Sequence, residues 1–345
     1  MKKFCRCSLL LTSIILFQSQ LSTDKVFAIE AKINVEKKAD AKKINAENLY
    51  EKGREAYLHF NFKGYKDSIT LYNKAINSDK NHAKALAAKA ESQALLSRII
   101  YDSTGDIKES TKLENSAFEN AFIALDLNPN LKETNRAMSM VYFIQENYEE
   151  GKKLALKALK LEPDDAESNL LLWINSPDPK IFRGDKTEIN YYKSLDLKSD
   201  TLDKVFELNS NLIMAYFERG KALAYQSEYF KAIKNYKKII DINPSNEEAY
   251  ITLGLLYSNS PETNDAIEQF NKAIDIDPDR YDAIYNLGVL HLKQRNVLLA
   301  QEFLNKVCDY DYLDSCDLVN GINNGKLRPY VKIPKERRKF NEFFN

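Results

Sequence analysis

Residues 247–280 read EEAYITLGLLYSNSPETNDAIEQFNKAIDIDPDR, and this stretch decides the fold. Small and apolar residues recur in it every three or four positions, which is the period of one helix face. The first face holds Tyr250, Leu253, Gly254 and Tyr257, and the second holds Ala266, Phe270 and Ala273. The polar residues NSPE separate the two faces, and Pro278 ends the second. The stretch therefore predicts two short helices joined by a turn, with small residues that let the two backbones approach closely.

The same pattern recurs along the chain. Clear copies cover residues 132–165, 213–246 and 282–312, and weaker copies begin near residues 46, 83 and 166. Together they make seven candidate units. The pattern resembles the tetratricopeptide repeat (TPR), a unit of about 34 residues with the signature W-x2-L-G-x2-Y, A-x3-F and P. The resemblance implies an all-α fold, an α-solenoid in which antiparallel helix pairs stack into a right-handed superhelix. It also implies a concave groove lined by the first helix of each pair.

The pattern divides the chain into segments. Residues 29–45 are expected to be a flexible lead or a frayed helix. Residues 46–165 form a first block of three units, in which the polar stretch 102–115 either extends a helix or forms a loop. Residues 166–212 are a degenerate unit and linker, with Trp173 where the repeat prefers a small residue. Residues 213–320 form a second block of three units followed by a capping helix.

The start of several units carries a helix-capping pattern. A polar residue after each clear proline is followed three positions later by an acid. This arrangement is typical of the capping box, which satisfies free backbone N–H groups at a helix start. The predicted pairs are Asn130 with Glu133, Asp164 with Glu167, Ser245 with Glu248, and Asp279 with Asp282.

Composition and motifs argue against most enzyme classes and against nucleic acid. The 50 basic residues balance the 50 acidic ones, so the whole chain shows no basic footprint for nucleic acid. No glycine-rich phosphate loop, G-x-S-x-G elbow or H-E-x-x-H metal motif is present. His291 falls at a repeat packing position, where a partly buried imidazole is expected rather than a metal ligand. We expect no enzyme, no catalytic residues, no metal, no cofactor and no small-molecule substrate.

Residues 1–28 have the features of a signal peptide. Lys2, Lys3 and Arg6 precede a ten-residue apolar run, residues 8–17, and the sequence VFA ends at Ala28. As a helix the run would cover only about 15 Å of the ~30 Å bilayer core. We therefore expect cleavage after Ala28 and export to a periplasm, lumen or extracellular space. The alternative is an uncleaved N-terminal anchor.

Cys308 and Cys316 remain after residues 1–28 are removed. A turn between the last repeat helix and the capping helix would bring the two sulfurs together, and an exported chain favours their oxidation. The C-x7-C spacing also resembles the cysteine-rich TPR-like repeats of some secreted bacterial proteins. We expect a Cys308–Cys316 disulfide, the alternative being two small core thiols.

The basic tail, residues 321–345, differs from the repeats. It holds seven basic residues against two acidic ones and ends in an aromatic stretch with Phe340, Phe343 and Phe344. Such a tail is often only solvated. The functional interpretations are docking to the acidic repeats, or weak contact of residues 326–339 with an anionic membrane surface.

The resemblance to the TPR family also implies which residues line the groove. In units five to seven the expected groove residues are Phe217, Tyr225, Ile251, Leu255, Tyr285, Val289 and Leu292. The Lys and Asn residues of the family's two-carboxylate clamp are missing, because the matching positions hold residues such as Phe217, Ile251 and Tyr285. We therefore predict that the groove is an apolar and aromatic binding site for a segment of a protein or peptide. The bound segment would be either an amphipathic helix or an extended apolar segment. Alternatively, some of these side chains pack under the next repeat or the tail.

The leading functional hypothesis is a non-enzymatic protein–protein interaction scaffold of the cell envelope or secreted space, acting in assembly or secretion. The alternative is a structural protein held to an anionic membrane surface by its basic tail.

Overall fold

A computed structural model describes residues 40–182, 187–258, 263–310, 312 and 315–325, with single positions at 32 and 37. The described residues form helices and the turns between them, and contain no β-strand. The helices are α1 (residues 40–57), α2 (Phe62–Ser78), α3 (Ala83–Thr104), α4 (Ile107–Leu127), α5 (Lys132–Ile144), α6 (Tyr148–Leu161), α7 (Ala166–Ile174), α8 (Pro179–Phe182), α9 (Glu188–Lys193), α10 (Asp200–Leu208), α11 (Ile213–Tyr225), α12 (Tyr229–Ile242), α13 (Glu247–Tyr257), α14 (Thr263–Ile276), α15 (Tyr281–Lys293), α16 (Val297–Cys308) and α17 (Ser315–Asn323).

The helices pack in antiparallel pairs, and successive pairs stack on one another: α1 with α2, α3 with α4, α5 with α6, α7 with α10, α11 with α12, α13 with α14, and α15 with α16. In four of the pairs, a glycine of the first helix lies against a large side chain of the second. A Cβ added to Gly254 would meet the Phe270 ring at 2.7 Å, and one added to Gly53 would meet the Tyr72 ring at 2.4 Å. The prediction of an all-α solenoid of helix pairs is confirmed.

The turns inside four of the pairs share one backbone conformation. Phe60, Glu146, Ser227 and Arg295 each have a positive φ, between 48° and 66°. Three of these residues are polar, but the one in the first unit is a phenylalanine. A non-glycine residue in this region is uncommon, and Phe60 is also buried. Its burial shows that the first turn packs against another part of the protein.

The degenerate middle region does not interrupt the stack. Helix α7 ends at Ile174, just before the residues SPDP (176–179), and α10 completes the pair with α7. Helices α8 and α9 are inserted between them. The Trp173 indole Nε1 donates to the carbonyl oxygen of Asp196 at 2.8 Å, which joins α7 to the residues before α10. One continuous core of buried side chains runs from Tyr57 to Leu290 through this region.

Other boundaries differ modestly from the predictions. Residues 40–45 of the expected flexible lead belong to α1, and the capping helix α17 runs to Asn323, beyond the expected end at 320. The polar stretch 102–115 extends both helices of the second unit, which meet at a tight turn around Gly105. The expected signal peptide, the lead up to residue 39 apart from its two single positions, and residues 326–345 lie outside the described residues.

The predicted capping boxes are wrong by one residue. The N-cap residues are Leu131, Asp165, Asn246 and Arg280, and of these only Asp165 and Asn246 accept a backbone N–H. Each helix starts later than predicted because the residue before the proline forms a turn that includes the predicted cap. In this turn, the side chain of Asn128, Asn243 or Asp277 accepts the backbone N–H of the residue two positions later. The acids assigned to capping are therefore available for other contacts.

The superhelix turns back until its first unit meets its sixth. We call this contact the seam: residues 59–62, at the turn between α1 and α2, against residues 243–247, before and at the start of α13. The Asn246 Nδ2 donates to the carbonyl oxygens of Phe60 at 2.9 Å and His59 at 3.1 Å. The Phe62 N–H donates to the Glu247 Oε1 at 3.0 Å. These contacts join residues more than 180 positions apart, and they close the inner surface of the superhelix.

Of the helices in the described part of the chain, none combines the length and the apolar character that crossing a membrane requires.

Candidate functional site

The first helices of four units enclose a cavity on the inner surface, partly open to solvent and about 140 Å³ in volume. We call it the main cavity. Helices α3, α11, α13 and α15 supply its walls, and the first turn closes it at the seam. Its apolar wall is formed chiefly by Phe60, Met214, Phe217, Ile251, Leu255 and Tyr312. Side chains from the first unit and from the last thus face the same space.

The opposite wall of the main cavity is polar. The Arg98 guanidinium donates from Nη1 to the Glu218 Oε1 at 3.1 Å and from Nη2 to the Tyr192 hydroxyl at 2.5 Å. That hydroxyl donates to the Glu218 Oε2 at 2.8 Å, which closes a three-membered network. Burial disfavours the charge on Arg98, but Glu218, Tyr192, Asp102 and Glu188 together outweigh burial and hold the pKa of Arg98 well above its usual range. The ion pair stays charged and fixes α3 against α11.

A second cavity of about 130 Å³ adjoins the main cavity and shares Arg98 and Asp102 with it. Helix α9, from the insertion in the fourth unit, forms one side. The aromatic side chains on this cavity are Tyr101, Phe143, Tyr148, Tyr191 and Tyr192, and the acidic ones are Asp102, Glu114, Glu146 and Glu188. Aromatic faces and carboxylates are the groups that attract organic cations.

Beside the seam, four charged residues form what we call the seam cluster: Glu247, Glu248, Arg280 and Asp282. Arg280 is bidentate to Asp282, with nitrogen–oxygen distances of 2.7 and 3.1 Å, and its Nη1 lies 2.7 Å from the Glu248 Oε1. Glu247 lies 3.5 Å from Arg280. A single guanidinium therefore faces three carboxylates. Burial raises the pKa of Glu248 to about 7, against the opposing effect of Arg280.

The first block holds a second group, which we call the front cluster: Arg54, Glu91, Arg136, Asp165 and Glu167. Arg136 lies 2.7 Å from both the Glu91 Oε1 and the Glu167 Oε2, and Arg54 contacts the same two acids. Lys132 also binds Asp165, at 3.0 Å. Burial alone would raise the pKa of Asp165, but Arg136, the Ser168 hydroxyl and Lys132 outweigh it and lower this pKa to about 2.

The structure brings three of the seven predicted groove residues together. Phe217, Ile251 and Leu255 lie on the apolar wall of the main cavity. Leu255 is only 8% exposed, although it lines the main cavity.

The other four predicted groove residues are covered by the chain itself. Tyr225 stacks on Tyr192 of α9, with ring centroids 5.1 Å apart. The last unit contributes Tyr285, Val289 and Leu292 to a separate cluster with α17, where Tyr285 packs edge-on against Tyr312 at 5.7 Å. The alternative that some groove side chains pack under a neighbouring element describes these positions.

Sequence reasoning missed the polar wall and the aromatic insertion. It described the groove as apolar and aromatic, whereas Arg98, Glu218, Glu248 and Asp282 lie on its wall and Glu247 and Arg280 are buried beside it. The repeat pattern carries no signal for Phe60 or Tyr192, because a turn and an insertion lie outside the helical period, and it includes Tyr191 only as part of the weak copy that begins near residue 166. Glu167 and Glu248, which were mistaken for capping residues, were the available sequence signal for the charged clusters, because each occurs at the start of the first helix of a unit.

Cys308 and Cys316 form a disulfide, with 4.7 Å between their Cα atoms. The bond joins the end of α16 to the start of α17, and the packing of α17 on α16 positions Tyr312 over Tyr285. His291 stacks on the Phe303 ring at 5.6 Å, and burial lowers its pKa. Among the described residues no group of three or more His, Cys, Asp or Glu side chains could hold a metal ion.

Comparison with known families agrees with the helix-pair geometry. A family model described as TPR repeat matches residues 220–260 and 262–294, and one described as tetratricopeptide repeat matches residues 137–165. The chain is a tetratricopeptide repeat protein. TPR repeats are generally protein-interaction modules, which supports an interaction scaffold. Among curated proteins, none matches the sequence of this TPR protein.

Solved TPR structures show the same fold at low sequence identity. The human IFIT1 dimer with m7Gppp-AAAA has a TM-score of 0.56 and 16% identity, over 77% of this chain and 60% of IFIT1. Yeast Tom70 has a TM-score of 0.50 and 15% identity, over 81% of this chain and 64% of Tom70. YrrB, described as a TPR protein with an unusual peptide-binding site, has a TM-score of 0.34 and 23% identity, over 65% and 97% of the two chains. The first two support the TPR solenoid and extend to no ligand.

Proposed function

We propose that this TPR protein is a non-enzymatic scaffold that binds an extended segment of a partner protein on its inner surface. The main cavity is the observation that carries the proposal. It combines an apolar wall with Phe217, Ile251 and Leu255 and a charged wall with Asp102, Glu248 and Asp282. A segment that alternates apolar and basic side chains would satisfy both walls at once.

The charge around the cavity favours a basic segment over an anionic one. Counting the residues on its wall, their direct ion partners and the rest of the seam cluster, three basic groups face six acidic ones. The basic groups are Arg98, Lys221 and Arg280, and the acidic ones are Asp102, Glu188, Glu218, Glu247, Glu248 and Asp282. An acidic site attracts Lys and Arg side chains and repels phosphate. The inner surface is therefore suited to protein rather than nucleic acid.

The size of the cavities favours an extended segment over a helix. An α-helix with its side chains is about 10–12 Å across, whereas the two cavities, at about 140 and 130 Å³ and partly open to solvent, are of a size for single side chains. An extended chain presents alternate side chains to opposite sides, about 3.3 Å apart along the chain. Such a chain can place single side chains in the two adjoining cavities.

We also propose that the scaffold is exported, on the strength of the charged start, the short apolar run and the VFA sequence ending at Ala28. N-terminal analysis of the protein recovered from its native compartment should find Ile29 as the first residue. Recovery of the intact Met1 end would exclude cleavage.

The binding proposal can be tested with labelled peptides of about eight residues that alternate Phe or Ile with Lys, and with matched peptides that carry Glu instead of Lys. Fluorescence anisotropy should show binding of the Lys peptide. The substitution Phe217→Ala should weaken binding more than tenfold, because aromatic anchors dominate such contacts.

The matched control is Phe118→Ala, a partly buried ring of α4 that packs on Tyr142 away from both cavities. It should leave peptide affinity unchanged. Equal binding of the Lys and Glu peptides, or equal losses in the two variants, would exclude the inner surface as the site.

A further inference from the structure

The segment that follows the last described residue begins close to the main cavity. Tyr312 lines that cavity, and α17 starts three residues later. A nine-residue helix is about 13 Å long, so Gly325, two residues beyond its end, lies within roughly 30 Å of Tyr312. The next twenty residues, 326–345, can span up to about 66 Å when extended. They are long enough to reach both cavities.

The composition of residues 326–345 matches the two cavity walls. The segment reads KLRPYVKIPKERRKFNEFFN, with seven basic residues against two acidic ones. Its first part alternates basic and apolar residues, as in Val331, Lys332 and Ile333, and Phe340, Phe343 and Phe344 follow. The second cavity adds tyrosine rings and the acids Glu114, Glu146 and Glu188 to the acidic main cavity. Charge and apolar character are thus complementary between the segment and the inner surface.

We propose that residues 326–345 dock in the two inner-surface cavities of their own chain and compete there with the partner segment. This inference rests on the proposed function, because it assigns the same site a second, intramolecular occupant. A tethered segment acts at an effective concentration in the millimolar range. A partner must therefore displace it, and the basic segment sets a threshold for partner binding.

Zero-length carbodiimide cross-linking of the full-length protein tests the docking directly, because it joins only lysines and carboxylates in contact. Lysines between 326 and 339 should cross-link within one chain to Asp102, Glu114, Glu146 or Glu188. Cross-links from these lysines only to carboxylates of the outer surface, such as Glu119, or none at all, would overturn the proposal.

Charge reversal in the full-length chain tests the competition. A variant with Lys335→Glu, Arg337→Glu, Arg338→Glu and Lys339→Glu should bind the alternating Lys peptide more than tenfold tighter than the wild type. The control reverses four exposed lysines of α12, Lys231, Lys234, Lys237 and Lys238, and should leave the affinity as in the wild type. Circular dichroism melting of both variants establishes that they are folded.

The outcomes separate the two proposals. If the peptide binds the wild type and the tail variant equally, the scaffold proposal stands and the docking proposal fails. If the peptide binds neither protein and no cross-link to the cavities forms, both proposals fail. If the wild type sediments with anionic vesicles of phosphatidylserine while the tail variant does not, and the cavity cross-links are absent, residues 326–345 serve a membrane surface instead.

Discussion

The front cluster and the seam cluster use the same side chains in different proportions. In the front cluster, Arg54 and Arg136 share two glutamates, and Lys132 adds a third cation at Asp165. In the seam cluster, Arg280 alone faces three carboxylates. The space around the front cluster is almost closed, with a cavity of about 10 Å³ beside Arg136, whereas the seam cluster borders the main cavity of about 140 Å³.

The difference indicates what each cluster does. Buried charges are tolerated when each has partners, and an excess of one sign is costly away from water. The front cluster is matched and closed, as expected for a group that holds repeats together. The seam cluster keeps an acidic excess beside open space, as expected for a surface that receives a basic group. Breaking each cluster in turn tests this division.

The largest effect is expected from Arg136→Met. The side chain is 4% exposed and its loss leaves Glu91, which is 1% exposed, with only the longer contact to Arg54 at 3.4 Å. An uncompensated buried charge typically costs about 3–5 kcal/mol, so chemical denaturation should show a loss of this size in the free energy of unfolding. Arg280→Met should cost less, because the seam carboxylates border the open cavity and Glu248 can take up a proton.

The control for Arg136→Met is Lys63→Met, which removes a surface ion pair with Asp67 from a side chain that is 81% exposed. This substitution should leave the midpoint of chemical denaturation almost unchanged. A loss for Lys63→Met as large as that for Arg136→Met would contradict the assignment of the front cluster as the structural one.

The next largest effect is expected at the seam itself, from Asn246→Ala. The Asn246 side chain donates to two carbonyl oxygens of the first unit and accepts the Ala249 N–H as the N-cap of α13. Losing these contacts should cost on the order of 2–3 kcal/mol. Because Asn246 holds the seam, the variant should also have a larger radius of gyration, which small-angle scattering measures. A compact variant with unchanged scattering would mean that the other seam contacts suffice.

The sequence predicted the helix pairs because local rules determine them. The spacing of Tyr250, Leu253 and Tyr257, the glycines that admit a large side chain, and the prolines that end second helices are all properties of neighbouring residues. The helix starts were misplaced by one residue because Asn243 and its equivalents form a turn, which competes with the cap for the same backbone groups.

The site was only partly predictable, because it depends on the sum of many small rotations between repeats. Phe217, Ile251 and Leu255 were found through their repeat positions, but the cavity that they line also includes Phe60, from a turn about 160 or more residues away in the chain. The Tyr191–Tyr192 wall comes from an insertion with no repeat register. Tyr285 was misassigned because the residues before the capping helix place Tyr312 over it.

The two clusters should also respond to pH with opposite signs. The pKa of Asp165 in the folded protein, about 2, lies below its usual value near 4. As the pH falls, the unfolded chain therefore binds the proton before the folded protein does. Ionised Asp165 contributes about 2 kcal/mol to the free energy of unfolding, and this contribution is lost as the pH falls from about 4 to about 2. Asp165→Asn, which can still cap α7, should remove that slope from the unfolding free energy. Asp67→Asn on α2 is the control; an equal change in slope would contradict the prediction.

The smallest effect is expected from Glu248→Gln, and it should have the other sign. The pKa of Glu248, about 7, lies above its usual value, so the folded protein binds the proton first. The stabilisation from protonated Glu248 is therefore fully present below about pH 4.5 and is lost as the pH rises through 7. Because the Glu248 side chain is 21% exposed and borders a cavity, we expect its contribution to the free energy of unfolding to be about 1–2 kcal/mol, less than its full pKa shift would give.

The wild type should accordingly lose stability between pH 5 and pH 8 relative to Glu248→Gln, while Glu119→Gln on the exposed face of α4 should follow the wild type. The same titration should strengthen binding of the alternating Lys peptide at pH 8 relative to pH 6, because the ionised carboxylate attracts the lysine. A pH slope that persists in Glu248→Gln would assign the titration to Glu247, whose pKa burial also raises. The acidic excess at the seam thus costs stability at the pH at which it favours a basic segment.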